Sequence, residues 1–311
     1  MKITVLAGGT GSAKLVRGLA SITDDLTVVS NVGDNIWLHG LYICPDIDTI
    51  LYALSGMLDE KRGWGIRNDS FNFLDQLQKY GEPGWFALGD RDVATHILRT
   101  HMVKEGFTLS EITEELRKRL GISTKIVPST DDPLTTIIRT DTGKMHLQEF
   151  WVKNRGLPAV KGVAFEGARA AVASDKAVGA IRKADRVIVA PGNPVSSIGP
   201  TLAIKEIRDA LAKKKDRVIA VSPIIGAQAV SGPAIKYMDS LGLDNSPAGV
   251  AKYYSGAVGN LVISKSDGGL APSIERLGMK VFETDIMMRD RQAEIRLARY
   301  LAAAETTMPE G

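Results

Sequence analysis

Asp46 and Asp48, one residue apart in the segment CPDIDT (residues 44–49), are the side chains best suited to metal or general-base chemistry. At that spacing both carboxylates can reach one hard cation that also takes phosphate oxygens, the coordination habit of Mg²⁺. The pair also has a structural reading, because Asp48-Thr49 precede an apolar helical pattern and Asp48 can serve as its N-cap. A second polar cluster, LGDRD, places Asp90, Arg91 and Asp92 at the start of another helix. There Asp90 or Asp92 can cap the helix, while the planar guanidinium of Arg91 suits a phosphate or a polar ring edge. Asp131 and Asp132 precede Pro133, the signature of a turn. Cys44 is the only cysteine, which excludes an intramolecular disulfide and a thiolate cluster and points to a small buried residue.

The chain opens MKITVLAGGTGSAKL. Residues 3–7 are apolar almost throughout, as a buried parallel strand requires. Gly8, Gly9 and Gly11 follow, where the chain must turn and let its backbone approach a ligand. A helix can begin at Ser12, and its unpaired first amides suit a phosphate or diphosphate. The plainer alternative is a glycine-rich βα turn that binds nothing. The dinucleotide fingerprint fails, since Lys14 stands where Gly or Ala is wanted and Asn31, not a carboxylate, ends the second strand. The Walker pattern fails too, because no Gly-Lys-Ser/Thr follows the glycines. Three more loops, SNVGDN (30–35), APGNPVSSIG (190–199) and VSPIIG (221–226), each follow an apolar run and supply backbone amides and short hydroxyls. Of the four histidines only His39 lies near these loops, and a structural role is expected for it.

These loops must be positioned by strands. Residues 3–7, 26–30, 186–190, 217–221, 261–264 and 280–283 read as strands, separated by helical stretches near 48–58, 201–214, 247–254 and 289–304. Such alternation predicts an α/β fold, a Rossmann-like doubly wound and mainly parallel sheet with helices on both faces. Residues 71–80, 92–103 and 109–120 look helical, and 135–140 and 144–152 read as strands joined by the hairpin signal Asp141-Thr142-Gly143. Residues 63–163 are accordingly expected to be an insertion of helices and antiparallel strands, and 1–62 with 164–311 the nucleotide-binding core.

At 311 residues the chain can bury a large core, and 44% hydrophobic with 24% charged residues is ordinary globular composition. A net charge of +3 suits anionic small substrates and falls far short of a nucleic-acid binder's basic stripe. The run Lys213-Lys214-Lys215 sits near a helix end, where it complements the dipole. No apolar run approaches the ~20 residues of a membrane span, and a cytoplasmic enzyme is expected.

Taken together, AGGTGSAKL, NVGDN, CPDIDT, LGDRD, IVPSTDDPLTTIIRT, APGNPVSSIGPTL and SPIIGAQAVSGPAIK resemble the 2-phospho-L-lactate transferase family of deazaflavin coenzyme (F-420) biosynthesis. The resemblance covers nearly the whole chain. It implies that a guanosine diphosphate ester of lactate, or of a related three-carbon acid, donates its phospho-acyl portion to the deazaflavin Fo, that GMP leaves, and that Mg²⁺ is required. By position, Asp48 and Arg91 match residues that contact the deazaflavin, with Asp46 the companion carboxylate. The loops bearing Gly9, Thr10, Gly11, Asn193, Ser197 and Ser222 would hold the guanosine nucleotide. Asp46 or Asp48 would orient or deprotonate the attacking hydroxyl, and a homodimer is expected. Two rivals stand beside this reading: a sugar-nucleotide-binding regulator of carbon or cell-wall metabolism, which shares AGGTG and APGNPVSSI, and a nicotinamide dehydrogenase, which Asn31 and Lys14 disfavour. A pure binding module follows if the carboxylates are only helix caps.

Overall fold

A computed structural model of the chain describes residues 1–230 and 232–305. Its strands are β1 (Ile3–Ala7), β2 (Leu26–Ser30), β3 (Ile36–Leu38), β4 (Leu41–Ile43), β5 (Lys125–Pro128), β6 (Thr135–Thr140) and β7 (Gly143–His146). They continue with β8 (Val160–Glu166), β9 (Arg186–Val189), β10 (Val218–Val221), β11 (Ile224–Ile225), β12 (Gln228–Ala229), β13 (Asn260–Ser264) and β14 (Lys280–Thr284). Seven of them form one parallel sheet in the order β14-β13-β10-β9-β1-β2-β5. Every residue of β1 and of β10 is buried. That explains their unbroken apolar runs, since a parallel sheet covered on both faces leaves no polar side.

The first five helices are α1 (Gly9–Ala20), α2 (Pro45–Leu54), α3 (Asn72–Lys79), α4 (Asp90–Lys104) and α5 (Leu109–Arg119). α1 packs against both α2 and the last helix, Arg291–Ala303. α5 carries a full capping box, in which Thr108 and Glu111 satisfy each other's backbone amides. The expected hairpin at residues 141–143 forms between β6 and β7, and β8 adds to its other side as a third antiparallel strand. Among the described residues no helix is long and apolar enough to cross a membrane.

The insertion differs from expectation in two respects. The strand expected over 144–152 ends at His146, and Glu149–Lys153 form a helical turn instead. β5, from within residues 63–163, is the edge strand of the main sheet and pairs with β2. Its four residues, KIVP, hold too few apolar positions to register as a strand, and α5 supplies the packing that makes them one. The single helix expected over 201–214 is two, Gly199–Ala203 and Lys205–Ala212, parted at Ile204 by its extended backbone.

Candidate active site

The sheet order decides where a ligand sits. From β1 the chain moves outward through β2 to β5, and from β9 it moves the other way through β10, β13 and β14. β1 and β9 therefore flank the switch point, where open α/β sheets bind ligands beyond the carboxyl ends of their strands. The two loops leaving those strands interlock. A Cβ on Gly8 would lie 2.3 Å from the Ser197 carbonyl oxygen, one on Gly11 2.7 Å from that of Pro191, and one on Gly192 2.4 Å from that of Gly8. Only a residue without a side chain permits such approach.

The loops open onto a cavity of about 740 Å³, within the range of small-molecule sites. Gly9, Thr10, Gly11, Asn193 and Ser197 line it. Asn193 accepts the amides of Val195 and Ser196 at 3.0 and 3.2 Å through Oδ1. That orientation leaves its Nδ2 donor buried and, among the described residues, without a partner. Ser222 is not in this wall. It is fully buried, and its hydroxyl donates to the Ile224 carbonyl at 2.8 Å and accepts the Ile224 amide at 3.1 Å. The reason is topological, because β10 lies one strand away from the switch point.

Asp46 reaches the floor from the first turn of α2. Its Oδ1 accepts the Gly9 amide at 2.7 Å and its Oδ2 the Asn31 side-chain amide at 2.9 Å. Asn31 thus serves a carboxylate where a dinucleotide enzyme would offer one to ribose. Asp34, which the sequence reading left unassigned, lines the same cavity. Burial pushes the Asp46 carboxyl up to about 6. Burial first, then the charge of Asp46, holds Asp34 well above the usual carboxylate range. Among the described residues no cluster of three or more His, Cys, Asp or Glu side chains is placed to hold a metal alone. Two charge-frustrated carboxylates beside a glycine-rich loop nonetheless fit Mg²⁺, which commonly takes one or two carboxylates and completes its shell with substrate phosphates and water.

Asp48 is not an N-cap. Cys44 occupies that position, and the Asp48 amide donates to the Cys44 carbonyl at 2.9 Å. Its carboxylate is instead held by the guanidinium of Arg99, from the middle of α4: Nη1 donates to Oδ2 at 3.1 Å and Nη2 to Oδ1. Arg99 is completely buried. Its Nη1 also lies 3.2 Å from His96 Nδ1, while His96 Nε2 is 3.3 Å from Asp92, whose carboxylate accepts the Tyr52 hydroxyl at 2.6 Å. Asp48, Asp92, His96 and Tyr52 all line the cavity. Arg99 already neutralises Asp48, whereas among the described residues no cationic side chain pairs with Asp46 or Asp34, the carboxylates left for a cation.

Arg91 lies elsewhere. It is exposed at the first turn of α4, outside the cavity lining, and its guanidinium donates to the Arg67 carbonyl at 3.3 Å. Its neighbour Asp90 ties α4 to α3 by accepting the Ser70 hydroxyl and the Phe73 amide, which hold its carboxyl at about 2. Position along the helix separates the two arginines. Asp92, His96 and Arg99 follow at i, i+4 and i+7 on the buried face, whereas Arg91 points away. That polar stripe was the signal available in the sequence for finding His96 and Arg99.

The remaining wall is aromatic. Trp64, Trp85, Phe86 and Trp151, all from residues 63–163, line the cavity. The Arg62 guanidinium lies 4.9 Å over the Trp64 ring and 5.4 Å over Phe71, which braces the loop bearing both. Trp151 belongs to one π-helical turn, Glu149–Lys153, and Ser197 to another, Pro194–Ile198; such turns recur at functional sites. Cys44 is buried with its thiol pushed up to about 12, chiefly by burial, so it is inert packing.

The carboxylate pair has a consequence for stability. A group whose folded pKa is raised contributes stability below its unfolded pKa and loses it as pH rises through the folded value. For Asp46 that loss runs from near the ordinary carboxylate range to above about 6, and Asp34 shifts in the same direction. Asp34→Asn should therefore raise the melting temperature by a few degrees at pH 8. The gain should vanish toward pH 4, while turnover is lost. Thermal melts at both pH values check this; a mutant less stable than wild type at pH 8 would contradict it.

Known proteins match this chain from end to end. The family model 2-phospho-L-lactate transferase CofD matches residues 3–298. The chain is 42% identical to the 2-phospho-L-lactate transferase of Methanopyrus kandleri, covering 96% of each sequence. It is 40% identical to that of Methanosarcina mazei, covering 96% of this chain and 99% of the relative. It is also 39% identical to the phosphoenolpyruvate transferase of Streptomyces griseus, with 96% of each covered. Among solved structures, a UPF0052-family protein from Bacillus halodurans shares the fold with a TM-score of 0.66 at 15% identity, covering 97% of this chain and 98% of that one. The chain belongs to the 2-phospho-L-lactate transferase family and is a transferase.

Proposed function

We propose that the switch-point cavity moves a phospho-acyl group, 2-phospholactate or a closely related three-carbon acid phosphate, from a guanosine diphosphate ester to the deazaflavin Fo. GMP is released and coenzyme F-420-0 forms. The observation that carries this reading is one cavity with two unlike walls: interlocked glycine loops at β1 and β9 opposite an aromatic wall from residues 63–163. The first suits a diphosphate, the second a flat ring system. The relatives' names support the acyl group, and they include both a phospholactate and a phosphoenolpyruvate transferase.

In this reading the amides of the Gly9–Gly11 turn and the Asn193 side chain hold the diphosphate. Asp46, bonded to the Gly9 amide, stands on the phosphate side and with Asp34 would hold Mg²⁺. The cation would neutralise charge on the diphosphate oxygens. Trp64, Trp85 and Trp151 hold the deazaflavin ring, and the Arg99-braced Asp48 presents its carboxylate edge to the acceptor. The acceptor's terminal hydroxyl attacks the phosphorus bearing the acid, in line with departing GMP. Asp48, on the acceptor side, orients the hydroxyl and takes its proton.

The nucleotide half is tested by heat. GDP at 100 times its Kd should stabilise the fold by about 2.7 kcal/mol, and NADH should leave the melting temperature unchanged. Protection by NADH without protection by GDP would overturn the guanosine assignment.

A further inference from the structure

Tyr237, on the helix Ala234–Ser240, is fully buried. Among the described residues its hydroxyl has no hydrogen-bond partner, although the residue lines the cavity. A buried hydroxyl left unmatched is costly, so a ligand-side partner is the natural account of its presence. The ring does not swing freely. It packs 5.8 Å from the Phe150 ring, and the preceding Lys236 donates to the Gly156 carbonyl. The same helix packs on the Pro194–Ile198 turn, directly after Asn193. Two unmatched donors, Tyr237 Oη–H and Asn193 Nδ2–H, thus come from neighbouring elements of one wall. Asp34 is near enough for its charge, after burial, to raise the phenol, yet no hydrogen bond joins the two among the described residues. The phenol proton is therefore available to a ligand atom.

Paired donors call for an oxyanion. Resting on the function proposed above, we propose that Tyr237 is a catalytic residue whose hydroxyl donates to a non-bridging oxygen of the phosphoryl group in flight, beside Asn193 Nδ2. In that step the bond from the acceptor hydroxyl oxygen to phosphorus forms. The bond from the same phosphorus to the bridging oxygen breaks, GMP leaves with the electron pair, and the hydroxyl proton passes to Asp48. A donor fixed in a dry wall before the reaction stabilises the equatorial oxygens without reorganising.

Tyr237→Phe keeps the ring and its packing and removes only the donor. With Fo, Mg²⁺ and the guanosine donor, kcat should fall about 100-fold, the loss typical of one oxyanion donor. The KM for Fo and the Kd for GDP should stay within about twofold, and the melting temperature should hold or rise. A purely structural tyrosine would leave kcat unchanged in this variant, and that result overturns the proposal. A loss carried by the KM for Fo or by GDP affinity also overturns it, because the hydroxyl would then be a ground-state contact. If wild type releases GMP and Tyr237→Phe does so equally fast, the Tyr237 role alone fails. If wild type releases none, the functional reading fails with it.

Discussion

Arg99→Ala should destabilise the protein by about 3–5 kcal/mol, the cost of leaving a buried carboxylate without its partner. Arg99 is fully buried and Asp48 nearly so, and the guanidinium takes both carboxylate oxygens. Removing it strands the Asp48 charge against Tyr52 and Asp92, and among the described residues no other arginine or lysine pairs with it. His96, 3.7 Å from Asp48 Oδ2, can compensate only by taking up a proton. The double variant Asp48→Leu with Arg99→Met should recover most of the lost stability, because apolar residues of similar volume often replace a buried pair without loss. It should not recover Fo binding. Denaturant unfolding of the two single variants and the double gives the coupling directly; an Arg99→Ala cost below about 1 kcal/mol, the level of a surface pair, would contradict this account.

Gly8→Ala should lower GDP affinity by about 10–100-fold, the loss expected when a hydrogen bond to a charged group worth about 1.5–3 kcal/mol is displaced. The backbone of Gly8 is extended, so strain at φ is not the cause. The added Cβ would stand 2.3 Å from the Ser197 carbonyl oxygen and 3.0 Å from Asp46 Oδ2. Neither neighbour can yield cheaply. One is backbone of the partner loop, and the other is a carboxylate pinned by Gly9 and Asn31. The loops at β1 and β9 must part, and the amides that hold the diphosphate move with them. Calorimetry with GDP on a variant whose far-ultraviolet spectrum is native decides this, and an affinity within about threefold of wild type would refute the interlocked-loop account.

The strands and their loops were legible because a doubly covered parallel sheet leaves apolar runs that end abruptly in glycine, proline or asparagine, as in β1, β9 and β10. β5 was hidden, being four residues long and paired in the sheet with β2, which lies far from it in sequence. In the site, CPDIDT marked Asp46 and Asp48, but the partner that determines Asp48's chemistry stands 51 positions away on another helix. LGDRD drew attention to Arg91 because a charged residue at a helix start is easily read as a ligand. Whether an arginine faces the core depends on the phase of the whole helix, and there Arg99 shares its face with Asp92 and His96. Asp34 sits in a Gly-Asp-Asn turn whose composition needs no function. Tyr237 follows a stretch with no periodicity to announce it. Its significance lies in an unmatched hydroxyl, which only the packed structure reveals.

The central claim is that one cavity joins a guanosine diphosphate donor to a deazaflavin acceptor. The direct measurement is chromatographic separation of nucleotides after incubating the pure protein with Fo, Mg²⁺ and, in separate reactions, the lactyl and enolpyruvyl guanosine diphosphate esters. GMP and phospho-acylated Fo should appear in equal amounts with at least one donor, and neither should appear when Fo is omitted. Absence of GMP with both donors, from a protein that still binds GDP, would contradict the claim and leave a nucleotide-binding fold without this transfer.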